Sequence, residues 1–183
     1  MIFPTPGRRF PARSLCCSYG ILLLVLVPLA LVAGKASAYD LALGYSHTCA
    51  IDDIGVACWG SNYSGQSEVP SDLVNPTAIA AGWHHTCAID DNGVTCWGSN
   101  GWGQSTVPTG LVNPSAIAAS PWHTCAIVDN GVACWGINWD GQTPVPSGLV
   151  HPSAIAAGGG HTGASDDTGV PWGGSAGGGR ARV

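Results

Sequence analysis

The chain has 183 residues, of which 45% are hydrophobic and only 9% are charged. From Tyr39 onwards it carries all 11 acidic residues but only Arg180 and Arg182 as fixed positive charges, a formal charge of −9. Proteins bind nucleic acids and anionic lipids by neutralising phosphates with Lys and Arg. The composition therefore argues against both as partners.

Residues 1–38 have the pattern of a secretory signal peptide. Three arginines precede an apolar run at residues 21–33, and a small-residue cleavage site, Ala-Ser-Ala, follows at 36–38. The apolar run is too short to cross a bilayer, which takes about 17–25 residues. We therefore predict cleavage before Tyr39 and a secreted or cell-surface chain without a membrane span.

The rest of the chain is built from a repeat of 38 residues. Residues 85–100 read HTCAIDDNGVTCWGSN, and closely similar stretches begin at His47 and His123. A fixed period of this size is typical of repeat architectures, in which each unit buries its apolar surface only against its neighbours. We predict three full repeats over residues 39–160, then a degenerate fourth repeat with a Gly-rich, disordered tail over 161–183.

Six cysteines follow the signal segment, two in each full repeat and nine positions apart. An even count in a secreted chain indicates disulfides. In the fourth repeat Gly163 and Trp172 stand where the two cysteines would be, so both are missing together. Zinc is disfavoured because no C-x2-C spacing occurs. The simplest scheme pairs each repeat within itself, giving Cys49–Cys58, Cys87–Cys96 and Cys125–Cys134.

Short strands with turn signals between them predict an all-β chain. In the second repeat the predicted elements, in chain order, are a strand at 86–89, a turn at 90–93, a returning strand at 94–98, a Gly-rich loop at 100–103, a candidate edge strand bracketed by residues 107–108 and 111–114, and an apolar run at Ala116–Ala119 that closes the unit.

The hairpin register stays open at this point. A two-residue turn would place Cys87 directly opposite Cys96, whereas a bulge at Gly93 would shift the pairing by one residue. Either register leaves the two sulfurs near enough to bridge. Closing so short a loop should stabilise the fold by about 2–3 kcal/mol.

Residues 85–104, HTCAIDDNGVTCWGSNGWGQ, resemble the repeat of the regulator-of-chromosome-condensation family. The shared features are the Gly before the His, the His itself, the turn Gly, the Trp-Gly pair and the Asn-x-x-Gly-Gln tail. The resemblance covers about residues 41–160. It implies a β-propeller of four-stranded blades, a fold that the family shares with β-lactamase inhibitor protein II. Because family propellers usually close with seven blades, three full repeats predict a partial or open propeller.

The fourth repeat admits two interpretations. His161, Thr162 and Val170 fit the pattern, but Trp172 stands one place early and a Gly-rich stretch follows. The segment is either a degenerate cap or the remnant of a gene that encoded further blades.

Several repeated residues are interpreted as structural. Zinc needs His nitrogens at about 2.0–2.1 Å, and the repeated histidines of adjacent blades would lie too far apart for that. The Asp pairs lack the ligand series of a calcium loop and suit turns. The invariant tryptophans should pack between blades. We predict no metal and no cofactor. The residues in question are His47, His85 and His123, the pairs Asp52-Asp53, Asp90-Asp91 and Asp166-Asp167, and Trp59, Trp97 and Trp135.

Aromatic residues also occur at variable positions in two loops of each repeat. Loop aromatics are good contacts for proteins and sugar rings. The alternative is that they fill gaps between blades, and the sequence does not decide between the two. Asn62-Tyr63-Ser64 also fits an N-glycosylation sequon. The candidate binding residues are Tyr45, Trp83 and Trp122 before the repeated His, and Tyr63, Trp102 and Trp139 after the Trp-Gly pair.

Three functions follow from these features. No nucleophile with a base, no carboxylate pair and no metal set stands apart from the repeat pattern, so we predict that the chain is not an enzyme. The leading hypothesis is a secreted or cell-surface binding module that presents loop aromatics to a protein or glycan. The resemblance also implies an inhibitor of a secreted hydrolase. The third hypothesis is a structural role, in which the open ends of several copies stack head to tail and a homo-oligomer completes the propeller.

Overall fold

The computed structural model describes residues 40–129, 131–145, 149–167 and 172–173. The predicted signal peptide and the predicted disordered tail lie outside these residues. Within them the strands form four antiparallel sheets of three strands each, in chain order. The strands are β1 (Leu41–Leu43), β2 (His47–Asp52), β3 (Gly55–Gly60), β4 (Ala78–Ala81), β5 (His85–Asp90), β6 (Gly93–Gly98), β7 (Ala116–Ala119), β8 (His123–Val128), β9 (Gly131–Gly136), β10 (Ala154–Ala157), β11 (Thr162–Ser165) and β12 (Trp172–Gly173).

The second, third and fourth sheets each take their first strand from the preceding sequence repeat. The run Ala116–Ala119 was predicted to close its own unit, but as β7 it pairs with β8 of the next repeat. The backbone before the strand already bonds to that repeat, since Ser115 N donates to the carbonyl of Ile127 at 2.9 Å. The prediction was wrong because a short apolar run shows a strand without showing its partner. The boundary of the folded unit is therefore shifted from that of the sequence repeat.

The candidate edge strand bracketed by residues 107–108 and 111–114 does not form. Pro108 and Pro114 have no N–H to donate, and Gly110 and Asn113 adopt left-handed backbone with φ of 83° and 48°. Left-handed residues interrupt the extended backbone that a strand ladder requires. The described sheets therefore have three strands, where the family resemblance implied four.

The hairpin register is settled in favour of direct pairing. Cys87 lies opposite Cys96 with no bulge, and the disulfide closes between them with Cα atoms 4.0 Å apart. Positive φ falls on Gly93, at 114°, and not on Asn92. The carboxylate of Asp90 instead holds the turn by accepting from Asn92 N at 3.0 Å. The two other predicted disulfides are also present, Cys49–Cys58 and Cys125–Cys134.

The core lies between successive sheets. One face of the first sheet packs against the second, and the shared cluster includes Ile51, Ile79 and Trp97. Trp97 and Trp135 are 8% and 6% exposed, as expected for residues that pack between blades. Trp59, at the same position of the first repeat, is 52% exposed because no described residue covers its side of the sheet.

Candidate binding surface

All six candidate aromatics lie at one end of the sheets. The loops that join the first strand to the second, and the loops that follow the third strand, leave from the same end of each antiparallel sheet. A backbone hydrogen bond ties the two loops of the first repeat together, from Ser61 N to Ser46 O at 2.8 Å. We call this the aromatic end, and the opposite end, with the hairpin turns, the turn end.

The loops between the first and second strands carry an inner row of rings. The ring centroids of Tyr45 and Trp83 lie 5.3 Å apart, and those of Trp83 and Trp122 lie 4.9 Å apart in a T-shaped pair. Tyr45 is 71% and Trp83 38% exposed, while Trp122 is half-buried. His84 lies at the edge of both Tyr45 and Trp83. The rings thus form a continuous row across three repeats and still face solvent.

The loops after the third strands carry an outer row. Trp102 and Trp139 form a T-shaped pair with centroids 4.8 Å apart, and both are exposed. Tyr63 is fully exposed and makes no ring contact with the described residues. The structure therefore brings five of the six predicted residues into two contacting groups and leaves Tyr63 alone.

The outer loops are held by the Asn-x-x-Gly-Gln tail of each repeat. The Gln66 side chain is buried, and its Oε1 accepts from Ser64 N at 2.8 Å. Asn62 accepts from Ser67 N through Oδ1 and donates to Glu68 through Nδ2, each at 3.0 Å. The second repeat repeats these contacts. Both polar atoms of the Asn62 sequon side chain are therefore occupied in the loop.

The same glutamine also connects neighbouring sheets, a role that the sequence analysis missed. The main-chain carbonyl of Gln66 accepts from Trp97 Nε1 and from Thr86 Oγ1 of the next repeat, both at 2.9 Å. Gln104 does the same for Trp135 and Thr124. The sequence signal that could have revealed this role is the loop glutamine that occurs in all three full repeats. The bracing of the outer row and the packing of the sheets are thus coupled.

The glycine of each Trp-Gly pair lets the two loops approach each other. Gly98 has φ of 95°, and a Cβ on it would lie 2.6 Å from the His84 carbonyl oxygen. Any side chain would push the outer loop away from the inner one. The spacing between the two rows at this end therefore depends on glycine.

The repeated histidines are buried between the sheets, in agreement with the predicted structural role. His47 Nε2 meets Thr86 Oγ1 at 2.9 Å, and His85 and His123 repeat the contact with Thr124 and Thr162. Because each threonine hydroxyl donates to a glutamine carbonyl, it accepts from the histidine. The hydrogen-bond network thus assigns the proton of these rings to Nε2.

Burial favours the neutral form of these histidines by lowering their pKa. It lowers the pKa of His85 and of His123 to about 4, and neighbouring histidines lower both further by charge repulsion. The pKa of His47 is lowered for the same reason, with a smaller effect from His84. The Nδ1 atoms of His47 and His85 are buried without a hydrogen-bond partner, whereas His123 Nδ1 meets Ser120 Oγ at 2.6 Å. A second proton on these rings would therefore lack an acceptor or break a contact.

A shallow recess of about 280 Å³ lies beside the inner row. Its lining comes from the ends of β1, β4, β7 and β10, which lie side by side, and includes Leu43, Tyr45, Trp83 and Pro121. No group of three or more His, Cys, Asp or Glu side chains suited to a metal occurs among the described residues. The aromatic end is thus an open surface with a shallow recess that is lined partly by aromatic rings.

The acidic residues concentrate at the turn end. Asp52 accepts from Ile54 N and Gly55 N, which is the turn role predicted for the Asp pairs. Asp91 accepts from Asn75 Nδ2 at 2.6 Å. Only Glu68 and Asp140 lie in loops of the aromatic end. The two ends therefore differ in character, one acidic and the other aromatic with little fixed charge.

No helix among the described residues is long and apolar enough to cross a membrane.

The comparisons with known proteins agree with this architecture. The sequence profile of the Regulator of chromosome condensation (RCC1) repeat matches residues 39–66 and 77–104. No curated protein sequence matches the chain significantly.

Solved structures similar to this chain are propeller proteins. Prp20p of Saccharomyces cerevisiae is 19% identical, with a TM-score of 0.63 over 73% of this chain and 44% of its own. The CRINKLY ectodomain of the Arabidopsis thaliana receptor kinase ACR4 is 25% identical, with a TM-score of 0.59 over 74% of this chain and 49% of its own. Human WBSCR16 is 19% identical, with a TM-score of 0.61. The chain spans less than half the length of each.

The resemblance drawn from the sequence is thereby confirmed. The His, Trp-Gly and Gln positions that carry it are the residues that join one sheet to the next, and the profile and the similar structures agree with them. Proteins built from such repeats act mainly by binding other proteins. The chain is an all-β, partial propeller that contains RCC1-type repeats and is similar in fold to RCC1 propellers.

Proposed function

We propose that the chain is an exported protein-binding module and that its aromatic end is the binding surface. The observation that carries the proposal is the pair of ring rows: the outer row lies on loops braced by buried glutamines, and the inner row lies on loops that backbone hydrogen bonds join to them. Exposed Trp and Tyr side chains held in fixed positions are the residues that dominate protein interfaces. A braced loop also loses little conformational entropy on binding.

Two observations favour a protein over a small molecule as the partner. The inner row runs across three repeats, while the adjoining recess holds only about 280 Å³, at the small end of ligand pockets. Prp20p, which shares the fold, is described by its binding to Gsp1p and histones. A glycan could stack on the same rings, and the experiment below distinguishes it.

Export is supported by the three disulfides, which are typical of an extracellular environment. The signal-like residues 1–38 point the same way. The similar Arabidopsis structure is itself a receptor ectodomain.

The low fixed charge of the aromatic end gives the proposal a second test. Glu68 and Asp140 are its acidic residues, and Glu68 already accepts from Asn62. Binding should therefore depend on ring contacts and change little with salt, in contrast to binding steered by charge.

The test compares the chain with a variant in which Tyr45, Trp83 and Trp122 are all changed to Ser. Ile54→Ser is the matched control, because Ile54 is 96% exposed but lies at the turn end. Each protein is immobilised, and partners are captured from the extracellular fraction of the source organism and identified. Affinity for the purified partner is then measured.

We expect the triple variant to lose at least about tenfold in affinity, because one hot-spot ring alone is worth more than 1 kcal/mol. The control should bind as the unchanged chain does. Equal binding by all three proteins would exclude the aromatic end as the site. Retention of glycans on an array by the unchanged chain, with no protein captured, would replace the protein partner by a carbohydrate.

A further inference from the structure

The first sheet has a face that is buried in the other repeats but open here. In antiparallel pairing, directly opposite residues share a face, and one such set is Leu43, Thr48 and Trp59. At the matching positions of the second repeat, Thr86 is fully buried and Trp97 is 8% exposed, because the first sheet covers them. We call this open surface the head face. It consists of Leu41, Leu43, Thr48, Ala50, Ala57 and Trp59.

The head face is apolar and carries an unused hydrogen-bond donor. Leu41 is 57%, Leu43 71% and Trp59 52% exposed. No described residue gives Trp59 Nε1 the acceptor that Gln66 O gives Trp97. Three large apolar side chains grouped on one sheet face mark an interaction surface.

The fourth sheet ends in the opposite kind of surface. Its far side corresponds to the side of each earlier sheet that receives the next repeat. We call it the tail face, and it consists of Ala154, Ala156, His161, Gly163 and Ser165. Ala154, Ala156 and His161 are exposed. The ring of His161 lies over Gly158, as the ring of His85 lies over Gly82.

The two faces differ from the internal ones in complementary ways. The tail face has Gly163 and Ser165 where the first sheet has Cys49 and Ile51, so it is shallower by a disulfide sulfur and an isoleucine side chain. The head face has Leu43 where the second sheet has Ala81, so it is taller at that position. Leu43 therefore returns part of the volume that the tail face lacks, which favours close packing of the two faces.

We propose that the head face of one copy binds the tail face of a second copy of this chain. The contact continues the inter-sheet interface already present three times within the chain. His161 Nε2 would reach the Thr48 hydroxyl of the other copy, as His123 Nε2 reaches Thr162 at 2.8 Å.

Two copies would close a ring. The described residues of each copy supply four sheets, and a ring of eight lies within the range of known propellers, about four to eight blades. A single copy spans 44% and 49% of two similar propeller chains, so two copies have the length of one. A head-to-tail contact that closes gives a dimer with two identical interfaces.

The experiment uses two blocking variants and one control. Leu43→Asp places a charge on the head face, and Ala156→Asp places one on the tail face. Ile54→Asp introduces the same charge on an exposed apolar residue at the turn end. All chains are exported from the expression host, purified without reductant, and checked for disulfides and thermal unfolding. Their mass is measured by light scattering and sedimentation up to about 1 mM protein.

The unchanged chain and Ile54→Asp should be dimers, and each blocking variant alone should be monomeric. An equimolar mixture of the two blocking variants should form a 1:1 dimer, because one keeps a free tail and the other a free head. A dimer of Ala156→Asp alone would overturn the proposal in favour of head-to-head pairing. A monomeric unchanged chain would overturn it as well, since the head face would then stay open or be covered by the chain itself.

Discussion

Acid should destabilise the chain through its buried histidines, and His85 gives the largest expected effect. Its Nε2 proton is engaged with Thr124, and its Nδ1 is buried without a partner. Folding lowers its pKa from 6.5 to about 4, mainly through burial. Between these two values the unfolded chain binds the extra proton and the folded chain does not. Stability is therefore fully present above pH 6.5 and falls as the pH drops towards 4.

The size of the effect follows from the two pKa values. At pH 5 the unfolded histidine is almost fully protonated and the folded one almost neutral, which corresponds to a loss of about 2 kcal/mol relative to pH 7. A domain of this size has a total stability of about 5–15 kcal/mol. His123, whose pKa is lowered in the same direction, should add to the loss.

The assay is urea unfolding followed by tryptophan fluorescence at pH 7 and pH 5, with His85→Gln as the test variant. Glutamine keeps a donor near the Nε2 position but does not titrate. We expect the free-energy difference between the two pH values to shrink by about 2 kcal/mol in this variant. His151→Gln is the control, because His151 is exposed and pairs with Asp167 at the surface. An unchanged pH difference in His85→Gln would refute the argument from burial.

Three further predictions use differences between the repeats. Trp97→Ala should cost about 3–5 kcal/mol and Trp59→Ala less than about 1 kcal/mol in denaturant unfolding, because only the first ring is buried and hydrogen-bonded. Ser120→Gly should lower the free energy of unfolding by about 1 kcal/mol in the same assay, since it removes the hydroxyl that contacts His123 Nδ1. The two earlier repeats already have glycine at this position, Gly44 and Gly82. Replacing Cys87 and Cys96 together by Ala should lower stability by about 2–3 kcal/mol, and addition of reductant should then have less effect on the variant than on the unchanged chain.

The positions of two strands in each repeat could be predicted from the sequence because their signals are local. Alternation, the Asp-Asn-Gly turn and the paired cysteines all act within one hairpin, and the structure places 86–89 and 94–98 in β5 and β6. The partner of Ala116–Ala119 is not a local property, and the sequence analysis assigned it to the wrong unit. The candidate edge strand failed for a different reason, because left-handed backbone at Gly110 and Asn113 outweighed the flanking apolar residues.

The candidate binding residues show the same difference between local signals and properties that depend on neighbouring units. The aromatic loops could be located because their residues vary where the rest of the repeat is constant. The contacts between rings of neighbouring repeats could not, since they depend on how one sheet stacks on the next. Trp59 and Trp97 are identical in sequence context yet differ in exposure, 52% against 8%. Comparison of the repeats shows which residue type each position keeps, but not whether a neighbouring sheet is present to bury it.

The offset between sequence repeat and sheet has a consequence for how such chains change in length. The second, third and fourth sheets each take their first strand from the unit before them, so each junction between the described sheets is spanned by hydrogen bonds and by a covalent link. The His–Thr and Thr–Gln hydrogen bonds recur at all three junctions of the described sheets at a spacing of 38. A recombination event that adds or removes one whole period therefore keeps these contacts at every remaining junction, wherever in the period the exchange occurs. Proteins built from this repeat can therefore gain or lose whole sheets in single recombination events, without an intermediate sequence that fails to fold.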